Sequence, residues 1–216
     1  MTPNQLNSLH MEYKHRFKVE FEFLLQQSTF LEVVFKNSDL LFDDEEATFV
    51  NSLSNLFTCS FEGMALGLSR VWDERQRDVD LISIPNLVTL FSERSFLGCW
   101  NLREGETDRY IFETLYSDPL RLRLRVLRTE ALAHSIQAGA SSDRKKSDVS
   151  GIQEFNLVNG DVLGFCVKTI NLLYSLNSQL RLQGFHKGKS LDDLKVECQR
   201  DHIAFLRHLA PDIVEP

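Results

Sequence analysis

The chain of 216 residues contains few of the residues that break regular secondary structure. Its ten glycines and five prolines together make up a much smaller share of the chain than the roughly 12% that is usual for these two residue types. This scarcity argues against an all-β sandwich with many turns, a collagen-like chain and a disordered chain. Phenylalanine, by contrast, occurs 16 times, so there is ample apolar bulk for the core of one domain.

The chain also lacks an excess of basic residues. It carries 24 lysines and arginines against 31 aspartates and glutamates, which gives a formal net charge of −7. This balance argues against a protein that coats DNA or an anionic membrane through bulk positive charge. Any contact with nucleic acid must therefore be a local patch.

Sequence motifs that hold cofactors or metals are missing. The chain has no glycine-rich phosphate loop, no His-Glu-x-x-His zinc motif, no Gly-x-Ser-x-Gly nucleophile elbow and no calcium-binding loop. No two of its four cysteines lie within three residues of each other, so there is no Cys-x-x-Cys metal or redox site either. We therefore predict no cofactor and no metal.

The cysteines and the apolar residues together indicate a cellular compartment. The cysteines are irregularly spaced, and we expect reduced, buried thiols at Cys59, Cys99, Cys166 and Cys198. The first 20 residues contain no apolar signal core, and no window of 18 residues is apolar and uncharged. We therefore expect no contact with a membrane and predict a cytoplasmic protein.

Apolar residues recur at intervals of three and four along most of the chain, which is the period of amphipathic helices. This pattern predicts helices at about residues 3–37, 43–73, 83–91, 108–138, 159–182 and 190–209. We expect an irregular connection at residues 93–107 and a mobile surface loop at residues 139–151, which are polar and rich in small residues. The predicted fold is all-α, a single domain over residues 1–216 built as an antiparallel bundle of five to six helices.

Three local signals refine these helices. Gly63 and Gly67 lie four residues apart in a predicted helix and predict close approach to a neighbouring helix. Pro119 interrupts another predicted helix, and after Ser-Asp it is also typical of the start of a fresh one. Ser190 and Asp193 resemble a capping box in which aspartate replaces glutamate, at the start of the last helix.

One segment of this acidic chain is strongly basic. Four arginines occur within the eight residues Arg-Leu-Arg-Leu-Arg-Val-Leu-Arg that end at Arg128. At about 100° per residue in a helix, Arg121, Arg125 and Arg128 share one face. Ser135 lies on that face too, whereas His134 lies about 120° away from Arg128. Clustered guanidinium groups match phosphate oxygens; the alternative is a solvated basic face that pairs with the chain's many acids.

The end of this segment, Arg128-Thr-Glu-Ala-Leu-Ala-His134, resembles the Arg-x(4–6)-His signature of HEPN domains (higher eukaryotes and prokaryotes nucleotide-binding). Over roughly residues 20–182, the chain is similar to the abortive-infection branch of that superfamily. In that branch a long helix that ends in an Arg-x-x-Asp-like sequence precedes the signature, and Arg70-Val-Trp-Asp73 matches it. The Ala-His-Ser of that branch is matched at residues 133–135. One departure is Thr129, which stands where these domains often have Asn, Asp or His.

The resemblance implies a compact helical domain that forms a two-fold dimer and, in catalytic members, a metal-independent endoribonuclease. RNA cleavage through the 2′-hydroxyl needs a base, an acid and positive charge at the phosphate oxygens. Because a histidine exchanges protons at cellular pH, we predict that His134 is the acid–base catalyst. Because an arginine stays charged, we predict that Arg128 stabilises the phosphate. In a dimer, two copies of this pair would meet around one composite cleft.

Other polar residues are candidates for supporting roles around this pair. We expect Arg121 and Arg125 to guide the RNA backbone, and Ser135 to bond the phosphate or orient the histidine. Thr129 is a candidate to complete the site.

Arg70 and Asp73 have two interpretations. In the first, Asp73 orients the catalytic histidine or arginine from the neighbouring helix. In the second, Arg70 and Asp73 form an ion pair between residues three apart at the end of a helix, worth only about 0.2–0.5 kcal/mol.

Three functions stay open at this point. The first is a dimeric ribonuclease that acts as a toxin or phage-defence effector, for which we expect an antitoxin or another regulatory partner chain. The second is a non-catalytic HEPN-like module that binds RNA or nucleotide, or assembles a defence complex. The third is a helical scaffold in which Arg128 and His134 are incidental. The retained Arg–His pair favours the first function, whereas Thr129 and the negative net charge favour the second.

Overall fold

The computed structural model describes residues 3–42, 48–73, 83–92, 102–126, 159–179 and 188–209. The helices in these ranges are α1 (Pro3–Lys36), α2 (Ser38–Phe42), α3 (Thr48–Val71), α4 (Ile84–Ser92), α5 (Leu102–Tyr116), α6 (residues 119–126), α7 (Asn159–Gln179) and α8 (Leu191–Leu209). No strand occurs within the same ranges, so the prediction of an all-α fold is confirmed. A membrane span would need a longer apolar stretch than any of the described helices contains.

Helix α1 is the central helix of the described part of the chain. It is 34 residues long and contacts α3, α7 and α8. Its apolar stripe faces these neighbours, and Phe17, Leu24 and Leu31 are completely buried. Each such side chain contributes roughly 1.5–3 kcal/mol of transfer free energy on burial. The periodic pattern of one long helix therefore organises a single core.

Helix α3 packs closely against α1 because two of its residues have no side chain. A Cβ atom at Gly67 would lie 3.0 Å from Cδ2 of Leu24 and 3.1 Å from Cε1 of Phe23. A Cβ atom at Gly63 would lie 3.3 Å from Cζ of Phe23. Carbon atoms in favourable contact are about 3.5–4.0 Å apart, so a side chain at either position would require Phe23 or Leu24 to shift by a few tenths of an ångström. The predicted close helix approach is confirmed.

Helix α8 begins at the predicted capping box. The hydroxyl of Ser190 accepts a hydrogen bond from the Asp193 amide at 3.1 Å. In return, the Asp193 carboxylate accepts hydrogen bonds from the Ser190 hydroxyl at 2.7 Å and from the Ser190 amide at 3.0 Å. These bonds favour the charged carboxylate and lower the pKa of Asp193. The helix then packs on α1, where Nε2 of His202 lies 3.1 Å from the carbonyl oxygen of Gln26.

Two boundaries differ from the sequence prediction. Helix α5 begins at Leu102, so residues 102–107 are helical and are not part of an irregular connection. Gly105 lies inside this helix, and a single glycine costs only about 1 kcal/mol in a helix interior, so it does not end the element. The helix expected to begin at residue 108 therefore starts earlier, and α5 stops at Tyr116. After α1, the short helix α2 adds one turn that the pattern did not predict.

The cysteines are partly as predicted. Cys166 and Cys198 are buried free thiols, and burial raises the pKa of each. Cys59 is a free thiol on an exposed face of α3, which corrects the prediction that it is buried. Cys99 and the loop predicted at residues 139–151 lie outside the described residues.

Candidate nucleic-acid interface

The basic segment begins at a break between α5 and α6. The carboxylate Oδ1 of Asp118 accepts a hydrogen bond from the Leu120 amide at 2.9 Å, and the Asp118 carbonyl accepts one from the Arg121 amide at 3.0 Å. Pro119 suits the first position of the helix because it has no amide to leave unbonded. Of the two alternatives at Pro119, the fresh helix is therefore confirmed. Asp118 and Pro119 together set the register of the arginines that follow.

Arg121, a predicted guide for RNA, is buried and packed against the preceding helix. The residue as a whole is only 8% exposed. The Nε–H donates a hydrogen bond to the Tyr116 carbonyl at 2.8 Å, and the guanidinium lies 4.1 Å from the centroid of the Tyr116 ring. Carbonyl groups at a helix end lack intrahelical partners, and an arginine nearby can satisfy them. Arg121 therefore closes the corner between α5 and α6.

The remaining described residues of α6 divide between a buried and an exposed side. Leu120 and Leu124 are buried, and their four-residue spacing places them on one face of the helix. Arg125 is half-buried, whereas Leu122 and Arg123 are exposed. Of the three arginines described in α6, the most exposed is thus Arg123, to which the sequence interpretation assigned no role.

An open cleft of about 420 Å³ lies between α6 and α7. The first turn of α6 and Arg123 line one side, and the amino-terminal half of α7 as far as Lys168 lines the other. Gly160 and Gly164 keep the α7 side open, since a Cβ atom at either residue would meet nothing within 4 Å. Pockets that bind small ligands typically measure about 300–1,000 Å³. The cleft therefore has room for a group as large as part of a nucleotide.

Two cations and two carboxylates line this cleft. Arg123 and Lys168 are exposed, and neither makes an ion pair or hydrogen bond within the part of the chain that the structure describes. Asp118 is engaged in capping α6, and Asp161 lies in the first turn of α7, where the helix dipole stabilises a negative charge. The cationic donors that face an incoming ligand are therefore those of Arg123 and Lys168.

Arg70 is held by a carboxylate of α1. Its Nε and Nη2 groups donate hydrogen bonds to the two carboxylate oxygens of Glu20 at 2.9 and 3.0 Å. The guanidinium also lies 5.6 Å from the centroid of the Phe23 ring. The Glu20 side chain is only 7% exposed, so this bidentate pair is a structural connection between α1 and α3. The partner of Arg70 across these helices is Glu20, in addition to any interaction within the Arg-x-x-Asp sequence.

Asp73 lies half-buried just beyond the end of α3. Its amide donates a hydrogen bond to the Arg70 carbonyl at 3.4 Å. The preceding residue, Trp72, is buried and donates its indole N–H to Oγ1 of Thr169 on α7 at 3.0 Å. The Trp72 ring also stacks on Phe112 of α5, with 5.9 Å between ring centroids. Trp72 therefore anchors the position of Asp73 to α5 and α7.

The residues predicted to carry the chemistry lie beyond α6. Arg128, Thr129, His134 and Ser135 are outside the described residues, and their roles stay predictions. Among the residues that are described, no group of three or more His, Cys, Asp or Glu residues is arranged to hold a metal ion.

Comparisons of the chain with models of known protein families, with curated protein sequences and with solved structures find no significant match. The resemblance to HEPN domains therefore depends on the sequence motifs alone.

The sequence interpretation missed the two cations of the cleft. Arg123 belongs to the basic segment, but helical geometry places it off the face shared by Arg121 and Arg125. Lys168 carries a weak signal, because Gly160, Gly164 and Lys168 follow one another at four-residue spacing on one face of α7. Two glycines followed by a lysine on one helix face are the pattern that could have identified Lys168.

Proposed function

We propose that this chain is a cytoplasmic, metal-independent endoribonuclease of the HEPN type that acts as a toxin or as a phage-defence effector. The observation that carries the proposal is the sequence Arg128-Thr-Glu-Ala-Leu-Ala-His134 in a chain with an all-α fold. Further support comes from α6, because the segment that leads to Arg128 is a helix that carries Arg123 and Arg125.

The proposed reaction is attack of an RNA 2′-hydroxyl on the adjacent phosphorus. The bond between phosphorus and O2′ forms, the bond between phosphorus and O5′ breaks, and the products are a 2′,3′-cyclic phosphate and a 5′-hydroxyl. His134 accepts the proton of the attacking hydroxyl, and the partner's His134 in a homodimer donates a proton to the leaving oxygen. Arg128 stabilises the negative charge on the non-bridging oxygens, because a guanidinium stays charged and forms two parallel hydrogen bonds.

Other residues support this pair. Ser135 bonds the phosphate or orients His134, and Thr129 completes the polar part of the site. Arg125 contacts the RNA backbone beside the scissile phosphate. Asp73, whose position Trp72 anchors, orients the histidine or the arginine.

The proposed partners follow from the same chemistry. RNA is the substrate, and a second copy of this chain completes the composite cleft. A ribonuclease toxin has to be restrained in its own cell, so we also propose an antitoxin or a regulatory chain of a defence complex as a partner. The dimer is expected to bring the two segments that carry His134 together.

The test is cleavage of a mixed-sequence single-stranded RNA in the presence of a chelator. Wild type, His134→Ala and Arg128→Ala are compared with a matched control, His208→Ala, which changes an exposed histidine on α8. Circular dichroism and light scattering check that fold and association state are the same in all four proteins. We expect cleavage by wild type and by the control, and a loss of at least ~100-fold in each of the other two variants.

The outcomes separate the candidate functions. Equal cleavage by all four proteins would overturn the assignment of His134 and Arg128. Tight RNA binding without cleavage by any of them would overturn the proposed catalysis and favour the non-catalytic binding module.

A further inference from the structure

We propose that the cleft between α6 and α7 binds a phosphodiester group of the RNA strand, and that Arg123 and Lys168 are the residues that contact it. This inference rests on the proposed function, because it assigns the cleft to the same RNA substrate. It adds a binding subsite that lies outside the Arg–His sequence pattern and that joins two segments distant in the chain.

The cleft offers two cationic donors to an anionic ligand, although two carboxylates line it as well. Arg123 and Lys168 reach it from opposite sides and make no ion pair or hydrogen bond among the described residues. One carboxylate oxygen of Asp118 accepts a hydrogen bond from the Leu120 amide. Asp161 lies in the first turn of α7, where the positive end of that helix stabilises its charge without cancelling it. A guanidinium and an ammonium group without carboxylate partners are the donors that bind phosphate oxygens.

The shape of the cleft favours a strand over a small enclosed ligand. Gly160, Gly164 and both cations are exposed, so the cleft is open along its length. Its floor contains the buried side chain of Phe165. The open side allows a polymer to enter and leave.

The position of the cleft relates it to the proposed catalytic pair. Arg123 precedes Arg128 by five residues, and the sequence predicts that the helix of α6 continues through this interval. A helix rises 1.5 Å per residue, so the two arginines would lie about 8 Å apart along its axis. At about 100° per residue they would also point about 140° apart around the axis, so a strand that contacts both arginines would have to pass around the helix.

The test measures binding without cleavage. A fluorescent single-stranded oligonucleotide with 2′-O-methyl groups cannot undergo attack by the 2′-oxygen, and its affinity is measured by anisotropy at several salt concentrations. The full chain is compared with the double variant Arg123→Gln/Lys168→Gln. The control is Lys18→Gln/Arg200→Gln, which removes the same charge from exposed sites on α1 and α8.

We expect the double variant to bind about tenfold more weakly, and the slope of log affinity against log salt to fall by about 0.7, the value for one phosphate contact on a single strand. The control should change the slope much less. The charge-preserving variant Arg123→Lys/Lys168→Arg should restore most of the affinity, which a purely structural role would not explain.

Cleavage of unmodified RNA by the same proteins separates this inference from the proposed function. Undiminished binding by the double variant, together with normal cleavage, would overturn the proposed phosphate subsite and leave the proposed nuclease function intact. Weakened binding by the double variant, with no cleavage even by wild type, would support the cleft and overturn the nuclease. Absence of RNA binding by wild type would overturn both.

Discussion

The contact between α1 and α3 and the cleft between α6 and α7 use the same two residue types in opposite ways. In the contact, a Cβ at Gly67 would lie only 3.0 Å from Leu24 of the neighbouring helix, and Arg70 is neutralised by Glu20. In the cleft, a Cβ at Gly164 would meet nothing, and Arg123 has no carboxylate partner among the described residues. The first arrangement stabilises the fold, and the second leaves space and positive charge for a ligand.

The comparison shows that residue type alone does not identify a functional arginine. Arg121 and Arg123 are two residues apart on α6, yet the first is buried against Tyr116 and the second faces the cleft. What distinguishes them is whether the protein itself supplies the partner. Each of the following predictions tests that distinction, from the largest expected effect to the smallest.

Removal of the two arginines should have very different effects on stability. Arg70→Gln removes the bidentate partner of Glu20, whose side chain is 7% exposed, and leaves it the more distant, exposed Arg16 guanidinium at 3.6 Å. Losing one member of a buried pair costs roughly 3–5 kcal/mol, and because the Arg70 side chain is 37% exposed we expect about 2 kcal/mol. Arg123→Gln should change the free energy of unfolding by less than about 0.5 kcal/mol. Urea denaturation of both variants measures the difference, and equal losses would break the comparison.

Alanine at the two glycines should shift stability in opposite directions. Gly67→Ala gains about 1 kcal/mol of helix propensity but inserts a methyl group against Leu24, which is fully buried. Overpacking of this kind costs roughly 1–3 kcal/mol, so we expect a net loss of about 1 kcal/mol. Gly164→Ala meets no obstacle and should stabilise the protein by about 0.5–1 kcal/mol. Thermal unfolding of the pair measures this, and a stabilised Gly67→Ala would show that Leu24 and Phe23 can move.

The contact between α1 and α8 should show a weak dependence on pH. Burial lowers the pKa of His202 below its ordinary value of 6.5. The unfolded chain therefore takes up a proton at a higher pH than the folded chain does. It follows that stability is fully present above pH 6.5 and decreases as the pH falls through the folded pKa.

His202→Gln can keep the hydrogen bond to the Gln26 carbonyl and removes the titration. Relative to this variant, wild type should lose stability as the pH falls from 6.5, whereas the difference between the two should be constant above pH 7.5. Urea denaturation across this range measures both curves. A constant difference at all pH values would mean that protonation of His202 does not matter to folding.

The sequence predicted those structural details that depend on neighbouring residues. Ser190 and Asp193 form a cap with each other. Pro119 begins a helix because Asp118 directly before it caps the first turn. Gly63 and Gly67 indicated a close contact because their spacing places both on one face of a helix. The period of the apolar residues was enough for the all-α fold.

Details that depend on distant contacts could not be predicted. The carbonyl of Tyr116 needs a partner only because the chain turns after it, so the burial of Arg121 follows from the break and not from the spacing of the arginines. Lys168 faces Arg123 because α7 packs beside α6. Glu20 meets Arg70 because α1 and α3 are in contact. Each of these pairs is set by tertiary packing, on which a pattern within one helix carries no information.

The most direct test of the central claim is the identity of the ends that cleavage produces. Wild type is incubated with single-stranded RNA and a chelator, and the products are analysed by mass spectrometry. Attack by the 2′-hydroxyl with His134 as acid and base predicts fragments that end in a 2′,3′-cyclic phosphate and begin with a 5′-hydroxyl, and no cleavage of 2′-O-methyl RNA. Fragments that end in a 3′-hydroxyl, or cleavage that the chelator abolishes, would contradict the account.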